Sequence, residues 1–254
     1  MNICKTLAIA LGLTFVASSQ ALTVLTEGHY DVDVHFHDGE LEMSVHDHEN
    51  ETEFEPDEVL FYVGDYARTN RPAGSQFDFI GVASGVQYWQ TPEEETPGKL
   101  LVGIGAEEID INDPRWLAFP ANDPRLPSGP AKWFRVSLEE ATGPGQVSIW
   151  NNTDDGPLVW ASTSNGIDSS DLFFGEIGSH VDVGWAFTSA GLYDVKLKAS
   201  ILEDTNNNGM LDSADQFLFS ESTNYRFGVE AVPEPATLLT LGGLSALMMR
   251  RRRK

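Results

Sequence analysis

From residue 29 to residue 48 the chain alternates polar and apolar positions with a period of two. His29 to His37 and Glu40 to His48 read as two strands, and Asp38-Gly39 between them is a residue pair that a two-residue type I′ turn favours. In the register this turn sets, Asp31 lies opposite His46 and His29 opposite His48. One face of the hairpin then carries Val32, Val34, Phe36, Leu41, Met43 and Val45, a core face. The other carries His29, Asp31, Asp33, His35, His37, Glu40, Glu42, Ser44, His46 and His48. A slip of one residue would turn the charged set inward, so the pattern protects its own register.

Short apolar runs continue through the rest of the chain: Val59 to Val63, Phe77 to Ile80, Leu100 to Ile104, Trp133 to Val136, Val147 to Trp150, Leu158 to Trp160, Tyr193 to Leu197 and Tyr225 to Val229. They are rich in β-branched and aromatic residues, and Gly, Pro, Asn and Asp separate them. Many short strands with turn signals between them predict an all-β fold, an antiparallel β-sandwich of the immunoglobulin or jelly-roll kind. The Pro- and Asp-rich stretch from Ile109 to Pro130 reads as a long surface loop.

The two ends break the strand pattern. Residues 1–21 place Lys5 before an apolar run from Leu7 to Ala17, followed by Ser19-Gln20-Ala21, the order of a secretory signal peptide with its helix. The one cysteine, Cys4, lies within this segment, so cleavage after Ala21 would leave no disulfide and no thiol chemistry. Residues 232–254 contain Pro233-Glu234-Pro235, an apolar stretch from Ala236 to Met249 and a basic terminus. The stretch predicts an anchor helix through Ala236, Leu238, Leu239, Leu241, Leu244, Leu247, Met248 and Met249, with Arg250 and Arg251 held on the cytoplasmic side. Residues 22–231 form the expected β-sandwich between these flanking helices.

Charge sharpens the reading. Of 16 Lys and Arg, one lies in the signal segment and five at the basic terminus, which leaves ten against 39 acids and a balance of about −29. That balance repels nucleic acid and anionic lipid and attracts cations. An apolar fraction of 41%, with aromatics spread along the chain, argues for a folded core.

Two clusters are candidate cation sites. Five of the six histidines fall on the polar face of the first hairpin, and His, Asp and Glu are the ligands that zinc-type metals use when thiolate is absent. His29, Asp31, His46 and His48 are the candidates, with His180 as a further ligand if its strand lies nearby; the alternative is a solvated polar face. The second cluster runs from Asp204 to Asp215 and has the twelve-residue calcium-loop spacing. Asp204, Asn206, Asn208, Asp212 and Asp215 supply side-chain oxygens, Met210 a carbonyl, and Gly209 the turn. The final ligand is Asp rather than Glu, and strand-like flanks replace helices, so the expectation is a calcium-stapled hairpin loop; the alternative is an Asn-rich turn that binds nothing. No nucleophile elbow, HExxH helix or phosphate loop occurs, so no enzyme is predicted. The tryptophans could stack on sugars, though Trp in a sandwich more often belongs to the core.

Two family resemblances follow from these residues. The order Val232-Pro233-Glu234-Pro235, apolar segment, terminal Arg run resembles the PEP-CTERM sorting signal. That resemblance implies transit through the secretory and signal-peptidase machinery, transient membrane anchoring, processing by an exosortase, and display at the cell envelope or in a matrix with exported polysaccharide. The body resembles the choice-of-anchor M, or surface-anchored protein, domain. Gly28-His29 and Asp31 match its G-H-x-D start, His46-Asp47 its H-D, and Trp185 to Tyr193 its W-x-F…G-x-Y; Pro97 to Gly105 is similar to its central strand. The family often has two histidines before that Trp, and Asp182 stands here in place of one of them. Together the expectation is an exported, surface-displayed, non-enzymatic β-sandwich stabilised by calcium, with a divalent-metal module as the alternative and a carbohydrate-binding or hydrolytic domain third.

Overall fold

The alternating segments become strands because each presents one apolar face to a shared core. The computed structural model describes residues 22–232. The expected signal segment, the motif Pro233-Glu234-Pro235 and the anchor from Ala236 to Arg251 lie outside the described residues. Among the described residues no helix is long and apolar enough to cross a membrane.

The chain runs through β1 (Thr23–Leu25), β2 (Gly28–His37), β3 (Glu40–Asp47), β4 (Thr52–Phe54), β5 (Val59–Val63), β6 (Arg68–Asn70) and β7 (Gln87–Gln90). It continues through β8 (Leu100–Gly105), β9 (Phe119–Pro120), β10 (Pro130–Ala131), β11 (Trp133–Thr142), β12 (Val147–Thr153) and β13 (Gly156–Ser162). The last strands are β14 (Leu172–Glu176), β15 (His180–Phe187), β16 (Gly191–Glu203), β17 (Gln216–Phe219) and β18 (Thr223–Val229). One sheet has the order β1-β5-β18-β16-β11-β14, with β17 also on β16. The other has the order β13-β12-β15-β8-β2-β3-β4, with β7 also on β15 and β6 on β7. Their inner faces share one apolar core, in which Trp185 of the second sheet meets Phe227 of the first at 4.9 Å between ring centroids.

The all-β expectation holds, but the sheets are mixed rather than wholly antiparallel. β1 pairs with β5, β5 with β18 and β2 with β8, all parallel. Parallel pairing needs a long connection, and here the chain crosses to the other sheet through β5 before β8 returns beside β2. Local sequence pattern does not carry that information.

The first hairpin has the predicted register from Tyr30 opposite Asp47 to His37 opposite Glu40. Its turn residues Asp38 and Gly39 both take positive φ, 51° and 95°, as a type I′ turn requires. Two expectations need correction. Phe77 to Ile80 lie in a 3-10 segment, Ser75–Ile80, bounded by Gly74 and Gly81, both with positive φ. Its phenylalanines pack edge-on against Trp150, which satisfies the apolar run without a strand. The stretch from Ile109 to Pro130 is more than a surface loop. Ile109, Trp116, Leu117 and Phe119 are buried in the core, and Trp116 bridges to Glu203.

Tyr193 is fully buried at the start of β16, and its hydroxyl donates to the Ser189 carbonyl at 2.8 Å. That is the corner contact its G-x-Y spacing suggests in sandwich folds. Five of the six tryptophans (Trp116, Trp133, Trp150, Trp160 and Trp185) are buried, so they present no stacking surface.

Candidate metal centre

The outer face of the second sheet gathers imidazoles and carboxylates from several strands. β8 lies between β2 and β15, and the register places Asp31, Gly103 and Asp182 in one row. Asp33, Gly105 and His180 form the next row. With no side chain on the central strand at either row, the flanking side chains lean inward over a bare backbone. A Cβ at Gly103 would lie 2.2 Å from Asp31 Oδ1 and 3.2 Å from Asp182 Oδ1. At Gly105 it would lie 2.8 Å from Asp31 Oδ2 and 3.1 Å from His180 Cβ. The two glycines are the floor of a bowl.

Over this floor three imidazoles converge. His29 stacks on His48 at 4.2 Å, and His180 approaches them at 5.3 and 5.0 Å. His29 Nε2 lies 3.0 Å from Asp182 Oδ1 and 3.5 Å from Asp31 Oδ1, and His180 Nε2 lies 3.9 Å from Asp182 Oδ1. Although the His29 contacts are short, His29 Nε2, Asp31 Oδ1 and Asp182 Oδ1 are all buried without a hydrogen-bond partner. The approach is close but the ring N–H is not aligned with either oxygen. Neighbouring ligands of a tetrahedral zinc-type ion, each at about 2.0–2.1 Å from the metal, are separated by roughly 3.3 Å. The observed separations straddle that value.

A second layer orients this set. His48 Nε2 is 3.0 Å from Asp31 Oδ2, the oxygen that faces away from His29. His180 Nδ1 is 2.7 Å from Glu107 Oε1, an arrangement that leaves Nε2 turned to the bowl. The ligand atoms of His29, His180 and Asp182 form one compact group, and those of Asp31, His48, Glu107 and His180 a second that shares His180.

The electrostatics are those of crowded opposite charges. Burial works against a charge on His29, but Asp182 and Asp31 outweigh it and raise its pKa to about 10. Burial likewise opposes ionisation of Asp31, and the imidazoles of His29 and His48 overcome it, so its pKa is lowered. His48 is raised, chiefly by its hydrogen bond to Asp31. Protonated imidazoles balance the carboxylates here; a divalent ion would supply positive charge at the same atoms and displace those protons.

The sequence candidates divide in space. His29, Asp31, His48 and His180 meet in the bowl. His46 is only 4.7 Å from His48 between ring centroids, yet its ligand atoms group with Glu53 and Glu108 instead. Asp182 and Glu107 join the group, and sequence pattern alone does not point to them as ligands. Asp182 stands out in the sequence only as the residue in a histidine's place, and Glu107 follows a strand whose neighbours the sequence does not reveal. His46-Asp47 has split roles, because Asp47 is buried and accepts the backbone N–H groups of Glu49 and Asn50 after β3.

The loop from Asp204 to Asp215 is built differently. Asp204 is buried and accepts from the backbone N–H groups of Asn208 and Gly209. Asn206 and Asn208 side-chain amides both donate to Asp212 Oδ2, at 3.1 and 2.7 Å. Asp215 Oδ2 accepts from the Asp212 N–H, while its buried Oδ1 has no partner. Met210 is exposed at the tip.

A larger hollow of about 750 Å³ lies beside Phe79, Arg125 and Trp160. Its cation is already engaged, since Arg125 donates to Asp123 and to the carbonyls of Val159, Trp160 and Leu172.

No protein-family model, no curated protein and no solved structure matches this chain.

Proposed function

We propose that this chain is an exported β-sandwich, displayed at the cell envelope, whose working site is a zinc-type divalent-metal centre over Gly103. The site is non-enzymatic and its role is capture and retention of the ion. One observation carries the reading: His29 Nε2, buried without a hydrogen-bond partner, lies 3.0 Å from Asp182 Oδ1 and 3.5 Å from Asp31 Oδ1, which are likewise buried and unpartnered. Buried polar atoms normally find partners, and a cation bound here would give these three a common one. His180 Nε2 is the fourth donor, and Glu107 and His48 are the orienting shell.

Export rests on the signal-like segment 1–21, and sorting by an exosortase on the order of Pro233-Glu234-Pro235, apolar run and Arg cluster. The strong negative balance suits a cation-collecting surface among exported polysaccharide. The Tyr193 corner supports an immunoglobulin-like variety of sandwich. Calcium at Asp204 to Asp215 is a structural staple in this reading, supported by the buried Asp204 and the unpartnered Asp215 Oδ1.

The test is elemental analysis and zinc titration of the full-length chain. One tightly held zinc per chain is expected, with affinity reduced at least about tenfold by Asp182→Asn and by His180→Ala. A chain that takes up no zinc, or one whose zinc is indifferent to both substitutions, would sink the proposal.

A further inference from the structure

We infer that a second divalent-cation site adjoins the bowl, formed by His46, Glu53 and Glu108 with Asp33 beneath, and that it takes an oxygen-preferring ion of the manganese class. The inference goes beyond the zinc-type centre and does not depend on that centre being filled.

The ligand atoms of His46, Glu53 and Glu108 lie within 4.8 Å of one another. They come from three places: β3, β4 and the segment after β8. β3 and β4 are paired so that His46 stands directly opposite Glu53, and His46 Nδ1 is 2.5 Å from Glu53 Oε1. The other Glu53 oxygen accepts from the Ser44 hydroxyl, which fixes the carboxylate in place. Register alone therefore sets two of the donors and orients one of them.

The independent observation is Asp33. Its side chain is only 5% exposed, it lies across the ladder from Ser44, and its Oδ2 has no hydrogen-bond partner. The nearest imidazole, His35 Nδ1, is 3.9 Å from Oδ2, too far for a hydrogen bond. Among the described residues none of Asp33, Glu53 and Glu108 is paired with a Lys or Arg. A buried carboxylate that feels the charges of Glu53 and Asp31, with no fixed cation, is an arrangement that a bound cation stabilises.

Donor chemistry separates the two sites. The bowl offers several imidazoles, which suit zinc-type metals. The second group offers one imidazole and two carboxylates, with the buried carboxylate of Asp33 near Glu53, which suits manganese-class ions. A hollow of about 290 Å³, lined in part by His35, Glu42, Glu53 and Glu108, opens directly onto the group and gives an ion and its waters a way in.

The experiment is a manganese titration of the full-length chain, with and without prior zinc loading, read by the loss of the free-ion paramagnetic resonance signal. The zinc-loaded chain is expected to bind one manganese. Glu53→Gln and Glu108→Gln should each weaken it at least tenfold, while Asp182→Asn leaves it in place. Glu108 is an exposed residue, so its substitution reads the site without threatening the fold. No manganese uptake by the zinc-loaded chain would overturn the inference, as would uptake unchanged in both Gln variants. Zinc lost in Asp182→Asn with no manganese in any sample would leave the zinc centre standing and the second site refuted. Manganese bound and lost in the Gln variants, with no zinc bound anywhere, would do the reverse.

Discussion

The loop from Asp204 to Asp215 and the bowl over Gly103 are both rich in metal-type ligands, yet their side chains are spent in opposite ways. In the loop, Asp204 accepts two backbone N–H groups and Asp212 collects two amide side chains, so most oxygens already hold the turn together. In the bowl the carboxylates face imidazoles from other strands, and three of the converging atoms have no hydrogen-bond partner. A loop closes on itself because its donors are within a few residues. A sheet face brings together groups from distant segments, which pair with one another only in part. Ligand composition alone does not separate these cases; the difference lies in which atoms are left over.

The comparison can be broken most decisively at the floor. Gly103→Ala places a methyl carbon 2.2 Å from Asp31 Oδ1 if nothing moves, so the carboxylate must swing out of the bowl. Zinc affinity should fall about 100-fold, at the strong end of what a disturbed ligand support costs. Calcium response of the loop should be unchanged, and calorimetric titration with each ion in turn checks both halves. Equal zinc binding in the variant would mean that the bowl is a polar surface and nothing more.

The next effect belongs to the loop. Asp204→Ala removes the acceptor of two backbone N–H groups and should cost about 2 kcal/mol of stability in calcium-free buffer, measured by urea denaturation. In calcium the gap between variant and parent should widen, because only the parent gains from the ion. A gap that stays constant would make the loop a self-satisfied turn.

The smallest effect concerns Asp33. Burial, then the charges of Glu53 and Asp31, push its pKa up to about 7, whereas an unfolded Asp titrates near 3.9. Between about pH 4 and 7 the folded state therefore holds a proton that the unfolded state releases. Its contribution to stability is present below the unfolded value and is lost as pH rises through about 7. With chelator present, Asp33→Asn should flatten the decline in stability over that range, seen in denaturation midpoints at successive pH values. A pH profile parallel to that of the parent would remove Asp33 from the account.

Much of the local structure was legible because it depends on near neighbours. The Asp38-Gly39 turn set the hairpin register, and the alternation from Val32 to Val45 set which face is buried. The strand-like flanks of the Asp204 loop are β16 and β17. The 3-10 segment at Phe77 to Ile80 was not legible, since an apolar run in contact with Trp150 looks the same as a strand until that contact is known. For the site, His29, Asp31, His48 and His180 were visible as residue types in pattern, but Asp182 and Glu107 were not. The sequence places His46 with His48, whereas its ligand atoms lie with Glu53 and Glu108, because a ring 4.7 Å from His48 can still aim its nitrogens elsewhere.

By itself the sequence determined the all-β character, the register and polarity of the first hairpin, and the stock of imidazoles and carboxylates on its outer face. Those follow from side-chain periodicity, turn conformation and charge, all local properties of the chain. Tertiary structure alone decided that β8 returns parallel to β2 and puts Gly103 between Asp31 and Asp182. The cavity in the side-chain layer, the convergence of His180 on His29, and the diversion of His46 to Glu53 all depend on that placement. Non-local strand pairing is chosen by the packing of the whole core, so the residues that complete the site become neighbours only once that core has formed.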